Sequence, residues 1–219
     1  SDFSAIRAFR SPHHTSTRSS IFGGGSGMAK IGEVALANGG VLFFDEFPHF
    51  GKQILESLRE PLEDYKINIS RVNSKVSYDT KFLFAAAMNP CPCGNAFSKN
   101  NLCTCSDKEI AKYKNVISGP ILDRIDIYCA MGEINDTDVP SYSSKQMSAM
   151  VLNAFKNQIE RGQNELNGKL NDGDIANFCI LDSDATEIIN KAISSYNLSQ
   201  RRINKTLKVA RTIADLRDA

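Results

Sequence analysis

The stretch GGVLFFDEFPHF, residues 39–50, decides the fold. Four apolar residues, Val41, Leu42, Phe43 and Phe44, run straight into the acidic pair Asp45 and Glu46. A short apolar run entered through Asn38, Gly39 and Gly40 has the pattern of a buried strand. Such a strand delivers its two terminal carboxylates to a sheet edge, where they either face solvent or do chemistry.

Working outward, GKQILESLREPLED (51–64) repeats Ile54, Leu55 and Leu58 at helical spacing, with Pro61 marking an end or a kink. The residues on either side of Val72, Asn73 and Ser74 alternate apolar and polar, the pattern of a β-hairpin. KFLFAAAMNP (81–90) is a second buried strand that stops at Asn89 and Pro90. Strands separated by helices indicate an α/β parallel sheet. GPILDRIDIYCAM (119–131) predicts a helix end and a further strand, and Cys129 and Cys179, both in apolar contexts, are expected to be core residues. From about Ser143 the pattern is helical to the end, and turn formers at 132–144 mark a boundary. The expected organisation is an α/β core over 1–138 and a small helical domain over 139–219.

With 219 residues, 42% hydrophobic, the chain can bury one substantial core or a core plus a satellite domain. A net charge of +1 gives no chain-wide attraction to polyanions, so any nucleic-acid surface has to come from local clusters. The longest apolar stretch, FLFAAAM, is far short of the ~20 residues of a membrane span, and no secretory signal pattern opens the chain. A soluble, cytoplasmic protein is expected, and the missing initiator Met suggests a piece of a longer chain.

In a nucleoside-triphosphate motor, a strand-terminal Asp holds Mg²⁺ and the following Glu polarises the attacking water. Asp45 and Glu46 suit those tasks, although paired acids also mark solvated sheet edges. Asn89 ends the second strand, where it can order the same water or simply form a turn. Arg124 stands between Asp123 and Asp126, as either a phosphate-facing guanidinium or a surface ion pair.

Cys91, Cys93, Cys103 and Cys105 form two C-x-C pairs. Four clustered thiols in a cytosolic protein point to a tetrahedral Zn²⁺ site rather than two disulfides. The C-x-C spacing is tighter than the usual C-x2-C knuckle, so reduced, unliganded thiols are the alternative. His13 and His14, in a polar loop, are left outside the metal set.

RSPHHT (10–15), GGGS (23–26), GEVALANGGVLFFDE (32–46), LREPLED (58–64), AAAMNPCPCG (85–94), SGPILDRIDI (118–127) and LKVARTIADL (207–216) together resemble the YifB/ComM group of magnesium-chelatase-like AAA+ ATPases. The resemblance implies a partial AAA+ core with an inserted hairpin, followed by a helical lid. By the same resemblance, Asp45 and Glu46 are the Walker B acids and Asn89 is the sensor-1 residue. Arg124 is the arginine finger acting on a neighbouring subunit, and Arg201 the sensor-2 arginine, with Arg202 as its substitute. ATP and Mg²⁺ are the implied cofactors and a hexameric ring the implied assembly. One family element is missing: no G-x-x-x-x-G-K-[ST] loop occurs in the chain. The fragment is therefore expected to begin after that loop and to bind ATP poorly by itself.

In this branch of AAA+ proteins the hairpin and the loop before the first strand tend to face a central pore. Lys66, Arg71 and Lys75 on the hairpin, with Arg10, Arg18 and Lys30 in the loop expected before the first strand, are the nucleic-acid candidates or merely a solvated basic face. In the last helix Arg201, Lys205, Lys208 and Arg211 form a basic stripe opposite Ile203, Leu207, Ala210 and Ala214. The leading functional expectation is an ATP-driven motor on DNA, a helicase or branch-migration factor of recombination and natural transformation. The alternatives are a chelatase-type motor that remodels a protein partner and a non-enzymatic zinc module that binds nucleic acid or protein.

Overall fold

The structure, a computed structural model, describes residues 7–25, 30–71, 74–134 and 137–218, without the side chains at 70, 71, 74 and 75. The nucleic-acid candidates Arg71 and Lys75 thus have side chains outside the described set, as does part of the GGGS segment. The chain divides into two compact units, one running to Ile125 with Cys129–Glu133, the other comprising Asp126–Tyr128 and Ile134–Ala219.

The first unit opens with β1 (Phe9–Arg10), α1 (Arg18–Phe22), α2 (Glu33–Leu36) and β2 (Val41–Phe44), the strand of the opening apolar run. Next come α3 (Lys52–Ser57), α4 (Arg59–Glu63), the hairpin strands β3 (Lys66–Arg71) and β4 (Ser74–Asp79), and β5 (Leu83–Ala86). The main sheet has the order β1-β2-β5 and is parallel throughout, with Val41 opposite Leu83 and Phe44 opposite Ala86. The hairpin is a separate antiparallel pair. This is the α/β architecture with an inserted hairpin that the periodicities indicated.

Gly39 and Gly40 explain how the chain enters β2. Gly39 has φ 72°, open to glycine at little cost, and a Cβ on Gly40 would collide with the Ala8 carbonyl. That same carbonyl accepts the Val41 N–H at 2.8 Å and sets β2 against β1. Leu42 and Phe44 are fully buried with Ile21, Val34, Phe50, Leu55 and Leu58. Phe44 lies over Phe50 with ring centroids 4.2 Å apart. Each such side chain stabilises the unit by roughly 2 kcal/mol through burial.

The helix predicted to stop at Pro61 breaks earlier, at Leu58. Pro61 sits in the first turn of α4, where a missing N–H is harmless. Its carbonyl accepts the buried Thr80 hydroxyl at 3.0 Å. On the hairpin, Ile67 and Ile69 point inward and Lys66 is exposed. The Asn68 amide donates to Glu60 at 2.7 Å, pinning the hairpin to α4.

After β5, α5 (Asp107–Lys114) starts with a capping box between Ser106 and Glu109, and α6 (Gly119–Leu122) ends at Asp123. The strand expected next is not formed: residues 125–134 carry no strand among the described residues. Ile127, Tyr128 and Met131 are exposed, and Cys129, expected in the core, is exposed with them. An apolar segment becomes a strand only where a neighbour satisfies its N–H and C=O groups, and the β1-β2-β5 sheet does not extend to this one.

The second unit consists of α7 (Ser144–Glu160), α8 (Asp172–Phe178), α9 (Ser183–Tyr196) and α10 (Gln200–Arg217). Its apolar core is small: Leu170, Ile175 and Cys179, flanked by Phe178 and Leu207. Asp215, with 0% exposure, is the buried residue of α10. Its carboxylate takes a two-pronged bond from Arg161 (2.9 and 2.8 Å), one from Arg211 (3.0 Å) and one from Asn167 (2.7 Å). The basic stripe predicted on α10 is therefore not a free cationic face. Arg211 serves Asp215, and Lys205 pairs with Asp126 at 3.2 Å. Ala210, assigned to the core stripe, is exposed. No described helix is long and apolar enough to cross a membrane.

Candidate active site

β2 and β5 end side by side. The Phe47 N–H donates to Ala87 O and the Ala87 N–H to Phe44 O, both at 2.9 Å, so Asp45, Glu46 and Asn89 leave the sheet at one edge. All three are exposed. Parallel strands in register bring their C-terminal ends together, and that edge is where open α/β sheets bind ligands.

Glu46 adopts φ 51°, a left-handed conformation that costs a non-glycine residue roughly 1–2 kcal/mol. Its N–H donates to Asp45 Oδ1 at 2.9 Å, and the turn runs directly into a 3-10 helix at Phe47–His49. Two imidazoles converge on the side chain. His14 Nδ1 lies 3.0 Å and His49 Nδ1 3.5 Å from Glu46 Oε2. His14 packs edge-on to His49, with centroids 5.7 Å apart, and over His13 at 4.2 Å. His13 in turn accepts the Thr15 N–H at 3.3 Å, shaping the loop that presents His14.

Tyr113 of α5 completes this surround. Its ring meets His49 edge-on at 6.1 Å, and its hydroxyl faces the Asn89 backbone N–H. Burial pushes the Tyr113 pKa up, the Asn89 bond pulls it down, and the charges of Cys91 and Glu46 raise it again, for a net rise. Sequence inspection did not select His14, His49 or Tyr113. The one available signal was His49 three residues after Glu46, a spacing that meets on a helical turn.

Arg124 is engaged within its own unit. Its Nε lies 2.8 Å from Glu63 Oε2, an ion pair whose N–H does not point along a hydrogen bond, and Nη1 donates to Pro120 O at 2.6 Å. Desolvation lowers the Arg124 pKa, although a guanidinium stays charged. Arg201 opens α10 in the second unit and is exposed.

The four cysteines converge. Cys91 Sγ lies 3.4 Å from Cys93 and 3.7 Å from Cys103, Cys93 and Cys103 are 3.6 Å apart, and all four sulfurs fall within 4.8 Å of one another. A tetrahedron of sulfurs at about 2.3 Å from zinc has edges of about 3.75 Å, close to these separations. Backbone bonds from Asn95 and Thr104, with help from Cys105 and Cys91, bring the Cys93 thiol down to about 6. At Cys105 a bond from the Cys93 backbone works in the same direction, but burial and the neighbouring sulfurs prevail and push its pKa up to about 12. The Cys93 thiolate forms readily while the Cys103 and Cys105 thiols resist, and a bound cation would favour the ionised form of a ligating thiol. The donor set and spacing suit a thiophilic, tetrahedral metal ion.

The fold and this sheet edge define a class, an α/β core whose parallel strands end together at one open edge, followed by a helical unit. The chain belongs to the magnesium chelatase subunit ChlI family: residues 1–139 match "Magnesium chelatase, subunit ChlI" and residues 141–219 match "Magnesium chelatase, subunit ChlI C-terminal". It is similar to YifB of Escherichia coli (strain K12), 40% identical over 215 residues that cover 96% of this chain and 42% of YifB. Similarity to the competence protein ComM of Haemophilus influenzae is comparable, 39% identity over 96% of this chain and 42% of ComM. A shorter match, 29% identical over 136 residues, links 61% of the chain to 13% of the DNA replication licensing factor MCM2 of Arabidopsis thaliana. The chain thus spans less than half the length of the curated YifB and ComM relatives.

Proposed function

We propose that the chain is part of a cytoplasmic, ATP-hydrolysing AAA+ motor that acts on DNA, as a helicase or branch-migration factor in recombination or natural transformation. What supports it most is the delivery of Asp45, Glu46 and Asn89 to one edge by adjacent parallel strands. The ComM relative is named a competence protein and the MCM2 relative a DNA replication licensing factor, the latter name tied to DNA. Nucleotide-bound Mg²⁺ supplies charge neutralisation at the phosphates. Asp45 holds that ion. Glu46, oriented by His14 and His49, polarises the attacking water, and Asn89 orders it. Arg124 exchanges Glu63 for the phosphate of a neighbouring subunit in a hexameric ring, and Arg201 acts as the sensor-2 arginine. Exposed Lys66 tracks the nucleic-acid backbone together with Arg71 and Lys75. A structural Zn²⁺ occupies the four cysteines.

No phosphate-cradling G-x-x-x-x-G-K-[ST] segment lies within these 219 residues, so the isolated chain is expected to turn over little ATP. The test is ATP hydrolysis by the full-length protein with and without single-stranded and branched DNA. Glu46→Gln should keep nucleotide binding and abolish turnover, and DNA should stimulate the native enzyme severalfold. Normal turnover by Glu46→Gln would remove Glu46 from the mechanism. Hydrolysis indifferent to DNA would favour the second proposal, a motor remodelling a protein partner, which the chelatase family description supports.

A further inference from the structure

The cysteine cluster and the Glu46 surround are linked through two covalent neighbours and one side chain. Cys91 follows Asn89 and Pro90 directly, and Cys105 directly precedes Ser106, the N-cap of α5. Residues 91–105 form a loop containing one short 3-10 turn, Asn95–Phe97; its middle is tied through Ser98 and Asn100 to Glu133, while its two ends, Cys91 and Cys105, are brought together by the sulfur cluster. The capping box of Ser106 and Glu109 transmits the position of Cys105 into α5, because the N-cap hydroxyl and the Glu109 carboxylate bind each other's backbone N–H. Two turns later Tyr113 returns to the end of β5. Its ring lies against His49, which stands 3.5 Å from Glu46, and its hydroxyl faces the Asn89 backbone N–H.

We propose that Tyr113 is a positioning residue that carries the order imposed by a tetrahedral metal ion on Cys91, Cys93, Cys103 and Cys105 to Asn89 and to the Glu46–His49 pair. It touches no reacting atom. A metal that draws the two C-x-C pairs together fixes where β5 ends and where α5 begins, and Tyr113 closes the loop between them. This assignment rests on the hydrolytic role proposed for Glu46 and Asn89, and it gives the metal a role in catalysis without direct contact.

Three measurements on the full-length protein test it. Elemental analysis should find about one zinc per chain. Chelation should speed backbone hydrogen exchange at 86–89 and 107–114, and added zinc should restore protection. Tyr113→Phe keeps the ring but deletes the hydroxyl. It should retain zinc and the KM for ATP while lowering kcat roughly fivefold, the worth of one hydrogen bond. Folded protein free of metal would overturn the assignment, as would zinc whose removal leaves exchange at 86–89 unchanged, or a Tyr113→Phe variant with native kcat. Glu46→Gln measured alongside separates the two levels: if it turns over normally, the hydrolytic role has failed and not merely the link from the metal.

Discussion

At the scale of the residue, Glu46 is the most constrained group at the sheet edge. Its backbone is left-handed, its N–H is bound to Asp45, and its carboxylate faces two imidazoles. Strained backbone persists where surrounding contacts over-determine it, and such positions cluster at functional sites. The nearer partner is His14 at 3.0 Å, on a carboxylate that is half-exposed, so solvent screening limits the bond to about 1 kcal/mol. Replacing His14 with Ala should therefore lower kcat about fivefold in the full-length enzyme and leave the KM for ATP unchanged. Steady-state kinetics on His14→Ala and His14→Gln decide the point. Rescue by Gln, which keeps a side-chain N–H donor, is expected, whereas an unchanged kcat in His14→Ala would show that the contact does not orient Glu46.

At the scale of the element, α10 shows how a helix of mixed pattern chooses its buried face. Periodicity favoured the Ile203, Leu207, Ala210 side, but Asp215 is the residue that goes fully inside, carried by Arg161, Arg211 and Asn167. Burial raises the carboxyl's pKa, and the bonds and charges of Arg161, Asn167 and Arg211 more than reverse it, so Asp215 titrates below the usual carboxylate range. Its folded pKa is depressed. The stabilisation is thus complete above the unfolded value of about 3.9 and is lost as pH falls through the lower, folded value. Removing one member of a buried ion cluster strands the others, at a cost of about 3 kcal/mol. Urea unfolding followed by circular dichroism should show Asp215→Ala losing about that much at pH 7, with the gap to the native chain closing as both are acidified. Equal midpoints at pH 7 would make the network dispensable.

At the scale of the whole molecule, the proposed ring requires Arg124 to leave Glu63 and reach a neighbouring subunit. The ion pair at 2.8 Å shows what occupies the guanidinium in a single chain. If Arg124 acts in trans, mixing equal amounts of full-length Arg124→Ala and Glu46→Gln subunits rebuilds complete sites at about a quarter of the interfaces, by random pairing in a closed ring. ATPase activity near a quarter of the native rate is expected from two inactive proteins. Activity no greater than the sum of the separate variants, at any mixing ratio, would place Arg124 in its own subunit's structure and return it to a surface ion pair.

Much of this was legible along the chain because it rests on local periodicity and on short spacings. VLFF running into Asp45 and Glu46, the alternation about residues 72–74, the second apolar run before Asn89 and the paired cysteines each announce their element within a few residues, since strand and hairpin signals are local. What depends on distant partners was not legible. Segment 125–134 reads as a strand but pairs with none, which leaves Cys129 exposed, because hydrogen-bond satisfaction is a property of the sheet and not of the segment. His14 and Tyr113 lie far from Glu46 in sequence and converge beside it through the β1-β2-β5 register and the turn into α5. Asp215 is buried because three polar partners, from the C-cap of α7, from α10 and from the connection between α7 and α8, meet there. The sequence alone determined the elements whose signals are local, and the chemistry they offer. Only tertiary packing decided which of those groups meet, because contact between residues far apart in the chain is set by the whole fold.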